Sequence, residues 1–462
     1  QRYRLMIDAV INHVSSQSAW FQSFLAGDAR YQDYFISLPP TTDLSRVVRP
    51  RVFPLLTPFS TAQGEKFVWT TFSRDQVDLN YANPQVLLEV VKALLLYVSQ
   101  GAQLIRLDAI AYLWKEPGTS CIHLPQTHAI IRFLRAVLDE VAPYVLLVTE
   151  TNVPHAENIS YFGEGVGEAQ LVYNFALPPL VLHTFLTGNA EALSAWAGGL
   201  TLPSSQVTFL NFLASHDGIG LNPVRGILSP AEIDRLAQAT RMRGGLISSK
   251  TDPEGGESPY ELNINYFDAL NPAGQDDLPL QVDRFMAAQA ILLALQGLPA
   301  IYAHSLLGSR GWPEGARSLG YARAINRQKL DYQALEAELR EPGSLRAQVY
   351  TRYAHLLRVR ATEPAFNPYA GQQTLQAGKA VFAMARLPMH GEKPVLCLQN
   401  VSANPQSVDL RGKLPSSAQG WMDLLTGKPI ERDDLPGLWL RPYQVCWLRP
   451  ANSFSNSHSL TR

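Results

Sequence analysis

Arg106 and Asp108 stand two apart in Leu104-Ile-Arg-Leu-Asp-Ala109. In an extended chain they share a face, and Ile105, Leu107 and Ala109 point the other way. A guanidinium and a carboxylate at the end of an apolar strand are costly to bury unless they pair. Paired, the arginine holds the carboxylate in its charged form, and a fixed, ionised carboxylate is the nucleophile of a retaining glycosidase. Glu150 ends a second apolar run, Tyr144-Val-Leu-Leu-Val148 with Thr149. A carboxyl between apolar walls and near another carboxylate keeps its proton longer, which suits a general acid. Asp217 follows Ser215-His216 and precedes Gly218. It can accept from two sugar hydroxyls at once, and His216 can donate to another. His13 closes Asp8-Ala-Val-Ile-Asn-His13. Singly, each has a plainer explanation: an internal ion pair, a first-turn helix acid, an Asp-Gly turn, a satisfied core histidine. Three carboxylates and two histidines at successive strand ends of one barrel are hard to explain as structure alone.

The elements that must position these groups alternate. Apolar strands are expected over 3–11, 102–110, 144–150, 170–175, 207–214 and 299–304. Helices are expected over 84–100, 126–142, 177–197, 283–296 and near 344–361, from apolar residues at helical spacing. Near-continuous apolar strands between helices indicate a parallel sheet. The fold class is α/β, a (β/α)8 TIM barrel over 1–363, which would need two further strands ahead of Gln1. Two stretches break the rhythm. Residues 14–83 are rich in Pro, Thr and aromatic residues with no clear helix period, and 218–281 contain a polar stretch at 248–258. Both are expected as insertions that build the substrate site. Residues 364–462 change texture to short alternating strands at 373–375, 380–386, 395–398, 406–410 and 438–448, a C-terminal all-β domain of β-sandwich type.

Composition narrows the partners. The chain has 462 residues, enough for a barrel plus an extra module. With 39 Lys+Arg against 40 Asp+Glu, charge gives no reason to expect nucleic acid or an anionic membrane. No apolar run reaches the length of a membrane span. Three scattered cysteines, Cys121, Cys397 and Cys446, read as reduced thiols in a cytoplasmic protein, with no metal-ligand spacing.

In order and in their neighbours, the four segments resemble the signature regions of glycoside hydrolase family 13, the α-amylase superfamily. Lys115-Glu-Pro-Gly-Thr-Ser-Cys121, Tyr260-Glu-Leu-Asn-Ile-Asn-Tyr-Phe-Asp-Ala-Leu270 and Ala324-Ile-Asn-Arg327 are similar to its sucrose phosphorylase subfamily. Within it, Ile122-His-Leu-Pro-Gln-Thr-His128 and His304-Ser-Leu-Leu-Gly-Ser-Arg310 look most like the glucosylglycerate-cleaving branch. The resemblance implies a retaining phosphorylase that splits a small α-glucoside with inorganic phosphate to give α-glucose 1-phosphate. Asp108 would be nucleophile, Glu150 acid/base and Asp217 the third carboxylate. His13, Arg106, His216 and Arg327, with Arg323 as alternative to Arg327, would hold the glucosyl unit. Arg310 is the candidate for phosphate or an acceptor carboxylate. Phosphate enters as co-substrate, no metal or organic cofactor is implied, and a homodimer is compatible. Two rival readings are a hydrolase or transglycosylase on the same site, and an inactive fragment or non-catalytic sugar-binding protein.

Overall fold

The structure, a computed structural model, describes residues 3–251, 256–272, 274–391, 393–410, 420–431 and 437–451. Residues 252–255 of the polar stretch at 248–258 lie outside the described residues. The chain divides into two compact units. The first comprises residues 1–173, 202–207 and 248–260, and the second residues 174–201, 208–247 and 261–462.

In the first unit four parallel strands follow one another: β1 (Leu5–Ala9), β2 (Ala102–Leu107), β3 (Leu146–Thr149) and β4 (Leu171–Tyr173). Asp8 lies opposite Arg106, Arg106 opposite Val148, and Val148 opposite Leu171. The ladder runs one residue past the strands, since Asp108 N–H donates to Ala9 O and Glu150 N–H to Leu107 O. Helix α1 (Pro84–Ser99) starts at an Asn83 cap with proline in its first turn and buries Val86, Val90 and Leu94. Helix α2 (Pro125–Val141) buries Ile130, Ile131, Leu134 and Leu138. These are the strand–helix–strand crossovers of a (β/α)8 barrel. The strand expected over 102–110 stops at Leu107. Ala109 takes a left-handed conformation (φ 48°), and Ile110–Tyr112 coil into a 3-10 turn.

The inserted stretch after β1 is less irregular than its sequence suggests. A hairpin pairs Leu56–Thr61 with Gly64–Trp69, and His13–Ser15 pairs antiparallel with Gln76–Asp78. A helix, Ala19–Leu25, is capped by Ser18. Seven residues are two turns, too few for a helical period to show in sequence. Its anchor is aromatic: Phe21 meets Phe35 and Phe59 edge-on at 5.0 and 4.9 Å.

In the second unit β5 (Thr208–Asn211) and β6 (Leu298–Pro299) run parallel, with Leu210 opposite Leu298. The strand expected over 299–304 is corrected: only its first residue belongs to a strand, and the chain turns into a helix at Ala303–Leu306. The helix expected over 177–197 is two, Leu177–Thr187 and Glu191–Gly198, broken at Gly188 (φ 64°). After the helices Leu278–Ala294 and Leu345–Thr362 comes the all-β module. Among the described residues, Gly371–Thr374, Val381–Leu387, Val395–Asn400, Val445–Ala451, Gly420–Asp423 and Pro429–Glu431 form one sheet in that spatial order. The strand expected over 438–448 is two. Leu438–Leu440 pairs with Gln406–Val408, the chain turns through Tyr443 (φ 53°), and Val445–Ala451 joins the larger sheet.

Two arginines cap the end of Leu278–Ala294. Arg386, fully buried, donates to the carbonyls of Ala294, Asn367, Ala370 and Gly371. Arg360 donates to those of Leu293, Gly297 and Phe366. A guanidinium there satisfies carbonyls that the helix leaves unpaired and offsets its negative end.

Candidate active site

Arg106 organises the strand ends of the first unit. Its Nη1 lies 2.6 Å from Asp8 Oδ1 and 2.8 Å from Asp108 Oδ1, and its Nη2 lies 3.9 Å from Glu150 Oε1. The Tyr173 ring sits 5.5 Å below the guanidinium. Burial opposes the charge of Arg106, but Glu150, Tyr173, Asp108 and Asp8 outweigh it and hold the proton more firmly than usual. Expected from the two-residue spacing, this pairing brings Asp108 and Glu150 to one cation. Glu150 is also fixed from the side, because Ala109 N–H donates to its Oε2 at 3.1 Å. The left-handed turn at Ala109 aims that N–H across to the neighbouring strand end. Behind Glu150, Thr151 and Asn158 hydrogen-bond through their side chains, and Asn158 Nδ2 donates to Tyr173 O at 2.7 Å.

His13 stands in the strand that pairs with Gln76–Asp78. Its ring leans on Phe72 at 5.5 Å, and Phe72 meets Tyr112 edge-on at 5.3 Å. Burial lowers the His13 pKa against the pull of Asp78 and Asp108. Beside it lies an ion pair that the sequence reading did not assign to the site. Lys115 Nζ is 2.7 Å from Asp78 Oδ2, and both side chains are shut off from solvent. Thr71 donates to Asp78 through its N–H and its hydroxyl, so the buried carboxylate is well satisfied.

Sequence reasoning also missed Tyr112, Arg51 and Tyr260. Tyr112, four residues after Asp108, is raised well above its usual pKa by burial, then by Tyr260, with Arg51 opposing and Tyr161 and Glu150 adding. Arg51 lies 5.1 Å over the Tyr260 ring. Tyr112 therefore feels Tyr260, Arg51, Tyr161 and Glu150. The only sequence signal was an arginine in an aperiodic insertion. The 122–128 segment holds the loops after β2 and β3 together. His123 Nδ1 meets Tyr161 Oη at 2.7 Å, its Nε2 meets Glu157 at 3.1 Å, and His128 meets Glu168 at 2.8 Å. Burial, with His128 nearby, pushes His123 down to about 4.

In the second unit Asp217 is gripped by two arginines. Arg323 Nη1 lies 2.6 Å and Arg327 Nη2 3.0 Å from its Oδ1. Arg327 Nε also donates to His216 O at 2.8 Å, and Asn326 Nδ2 donates to Asp217 O at 3.0 Å. His216 Nε2 lies 3.7 Å from Asp217 Oδ1, with half of its side chain exposed. Arg323 forks onto Glu261 through Nε and Nη2 at 2.9 and 2.8 Å. Both arginines proposed as alternatives thus meet at Asp217, and Arg323 is in addition anchored by a buried carboxylate.

Gly218 makes this approach possible. A Cβ there would stand 2.6 Å from both Glu261 Cγ and Leu262 O. The carbonyl belongs to a strand, since Ile219 pairs with Leu262, and cannot yield. Gly218→Ala should displace Asp217 and lower kcat about 100-fold, the cost of misplacing a catalytic group by about 1 Å. Circular dichroism should be unchanged. Activity within a factor of about two would show that Asp217 tolerates the shift.

Arg310 is engaged by neighbouring side chains. Its Nη1 donates to Asp268 and its Nη2 to Gln281, each at 2.9 Å, over the Phe267 ring at 5.0 Å. Asp268 also accepts from Gly311 N–H at 2.7 Å. An arginine already facing a carboxylate is a poor partner for a second anion. Its geometry is that of a loop clamp.

The chain is similar to several known proteins. Residues 1–195 match the α-amylase catalytic domain family. The chain is 52% identical over 449 residues to a glucosylglycerate phosphorylase of Allomeiothermus silvanus, covering 97% of this chain and 78% of that protein. It is 50% identical over 455 residues to one of Spirochaeta thermophila, covering 97% and 77%. The crystal structure of sucrose 6F-phosphate phosphorylase from Thermoanaerobacter thermosaccharolyticum shares the fold, with a TM-score of 0.74 at 22% identity over 95% of this chain and 84% of that one.

Proposed function

The chain belongs to the α-amylase superfamily, glycoside hydrolase family 13, and on that premise we propose that it is a retaining phosphorylase of glucosylglycerate. Asp108 attacks the anomeric carbon while Glu150 protonates the departing glycerate oxygen. Phosphate then takes the glucosyl group from Asp108, with Glu150 as base, and α-glucose 1-phosphate leaves. As in the family, Asp217, held by Arg323 and Arg327, binds sugar hydroxyls, and His13, His216 and Arg106 are assigned to the glucosyl unit. One observation carries the reading: a single guanidinium, Arg106, pairs with Asp108 and reaches Glu150. That arrangement gathers two carboxyls around one cation, the two groups that a double displacement needs as nucleophile and acid/base.

Glycerate and phosphate are both oxyanions, so one cation can serve both half-reactions in turn. We assign that role to Arg51, which lies 5.1 Å over the Tyr260 ring and acts electrostatically on Tyr112, rather than to Arg310. Three free, buried cysteines support a reducing, cytoplasmic setting.

The test is product analysis on glucosylglycerate with and without phosphate. Glucose 1-phosphate should form at a rate that rises with phosphate, and free glucose should stay a minor product. Glucose release independent of phosphate would make this protein a hydrolase.

A further inference from the structure

Two groups near the glucosyl pocket, Lys115 and Asn12, have no part in the double displacement, yet both touch the chain of contacts that ends at His13. Lys115 Nζ lies 2.8 Å from Asn12 Oδ1. The Asn12 amide nitrogen lies 3.2 Å from Asp78 Oδ2 and 3.2 Å from His13 Nδ1. His13 Nε2 lies 2.8 Å from Gln76 Nε2, and Ser73 Oγ donates to Gln76 Oε1 at 2.9 Å. Asn12 is fully buried and His13 nearly so.

We infer that Lys115 is a positioning residue that acts through Asn12 to hold His13 as the neutral Nε2–H tautomer, a fixed donor at the glucosyl pocket. An ammonium only donates, so the Asn12 atom facing it is the carbonyl oxygen. The other end of that amide is therefore NH2, and it meets Asp78 and His13 with hydrogens. His13 Nδ1 must present its lone pair. A neutral imidazole carries one N–H, which is left to Nε2. The Gln76 amide is placed with its nitrogen toward His13; turned over, which leaves its shape unchanged, its oxygen accepts from Nε2–H and its nitrogen donates to Ser73.

The same geometry opposes the imidazolium, because a proton on Nδ1 would point at the Asn12 NH2. The charged groups around His13 are Asp78, Asp108 and Asp75, which favour the cation, and Lys115, which opposes it. Burial is the largest influence and also opposes it, so the balance falls to the neutral ring. The buried Lys115–Asp78 pair thus sets a proton position one residue away from itself. The catalytic consequence rests on the reading of His13 as a glucosyl ligand, whereas the tautomer is a property of the resting protein.

Imidazole 15N–1H correlation spectra of the full chain separate the two. His13 signals are identified by their loss in His13→Gln. In the wild type, Nδ1 should be bare and Nε2 protonated from about pH 6 to about pH 8. Asn12→Asp keeps the lysine partner and offers Nδ1 an acceptor, so the proton should appear on Nδ1. Lys115→Met should give a mixture of tautomers and raise the apparent KM for glucose 1-phosphate about five- to tenfold, the worth of one hydrogen bond, with kcat little changed. A wild-type His13 protonated on Nδ1, or an Asn12→Asp spectrum identical to wild type, overturns the inference. A wild-type spectrum as expected, with an Asn12→Asp switch that leaves KM untouched, upholds the tautomer and instead overturns His13 as a glucosyl ligand. Should Lys115→Met fail to fold, the Asn12→Asp spectrum still decides.

Discussion

Asp108→Asn is expected to lower turnover of every donor by at least about 10⁴-fold while leaving the fold intact, as loss of a nucleophile does in other covalent enzymes. The amide keeps the shape of the side chain but cannot form the glucosyl ester. Arg106 keeps Asp8 at 2.6 Å, so the barrel interior does not acquire an unpaired cation. Glu150→Gln should behave differently. Its loss removes proton transfer, worth about 10² to 10⁴ in rate on glucosylglycerate. A donor with a good leaving group, such as α-glucosyl fluoride, needs little protonation, so its first step should be nearly spared. Rates on both donors, measured for both variants, separate the roles. Equal losses on the two donors in Glu150→Gln would remove Glu150 from acid/base duty.

Arg51→Ala is expected to lower kcat/KM for glycerate, with glucose 1-phosphate as donor, about 10- to 100-fold, the worth of hydrogen bonds to a charged group. Glycerol, which has hydroxyls but no carboxylate, should change by a factor of about three at most, because no charge-assisted bond is lost. Phosphorolysis should show a raised apparent KM for phosphate in the same variant. Arg310→Ala should leave the ratio of glycerate to glycerol unchanged, since its two Nη groups already serve Asp268 and Gln281. A selective loss of glycerate in Arg310→Ala, with Arg51→Ala neutral, would restore Arg310 to the acceptor site.

These two arginines show where sequence reasoning reached and where it stopped. The strand ends were legible because a period of two residues puts Arg106 and Asp108 on one face regardless of the rest of the chain. The pairing of Arg106 with Asp108 followed from the cost of burying charge. Arg310 has the right chemistry for an anion, but its partners lie 42 and 29 residues away in sequence. Nothing local reveals that its charge is already spent. Arg51 and the Lys115–Asp78 pair were hidden for the same reason. They sit in or reach into an aperiodic insertion, where contacts are set by loop closure rather than by a repeating pattern. Ala109 was a further blind spot. A left-handed alanine has no signature in composition, yet it turns the N–H that holds Glu150. The helices expected at 84–100, 126–142 and near 344–361 were legible to within a few residues, because their buried residues recur at helical spacing. The two strands at 438–448 were fused because the turn at Tyr443 uses a bulky residue in a left-handed conformation, where glycine or asparagine would have signalled a break.

The most direct measurement of the central claim is to trap the intermediate. Glu150→Gln treated with α-glucosyl fluoride in the absence of phosphate should accumulate a protein heavier by one glucosyl unit. Peptide mass spectrometry should place that unit on Asp108, and added phosphate should release it as α-glucose 1-phosphate. A glucosyl unit on Asp8 or Asp217, or rapid turnover with no adduct and β-glucose 1-phosphate as product, would contradict the account.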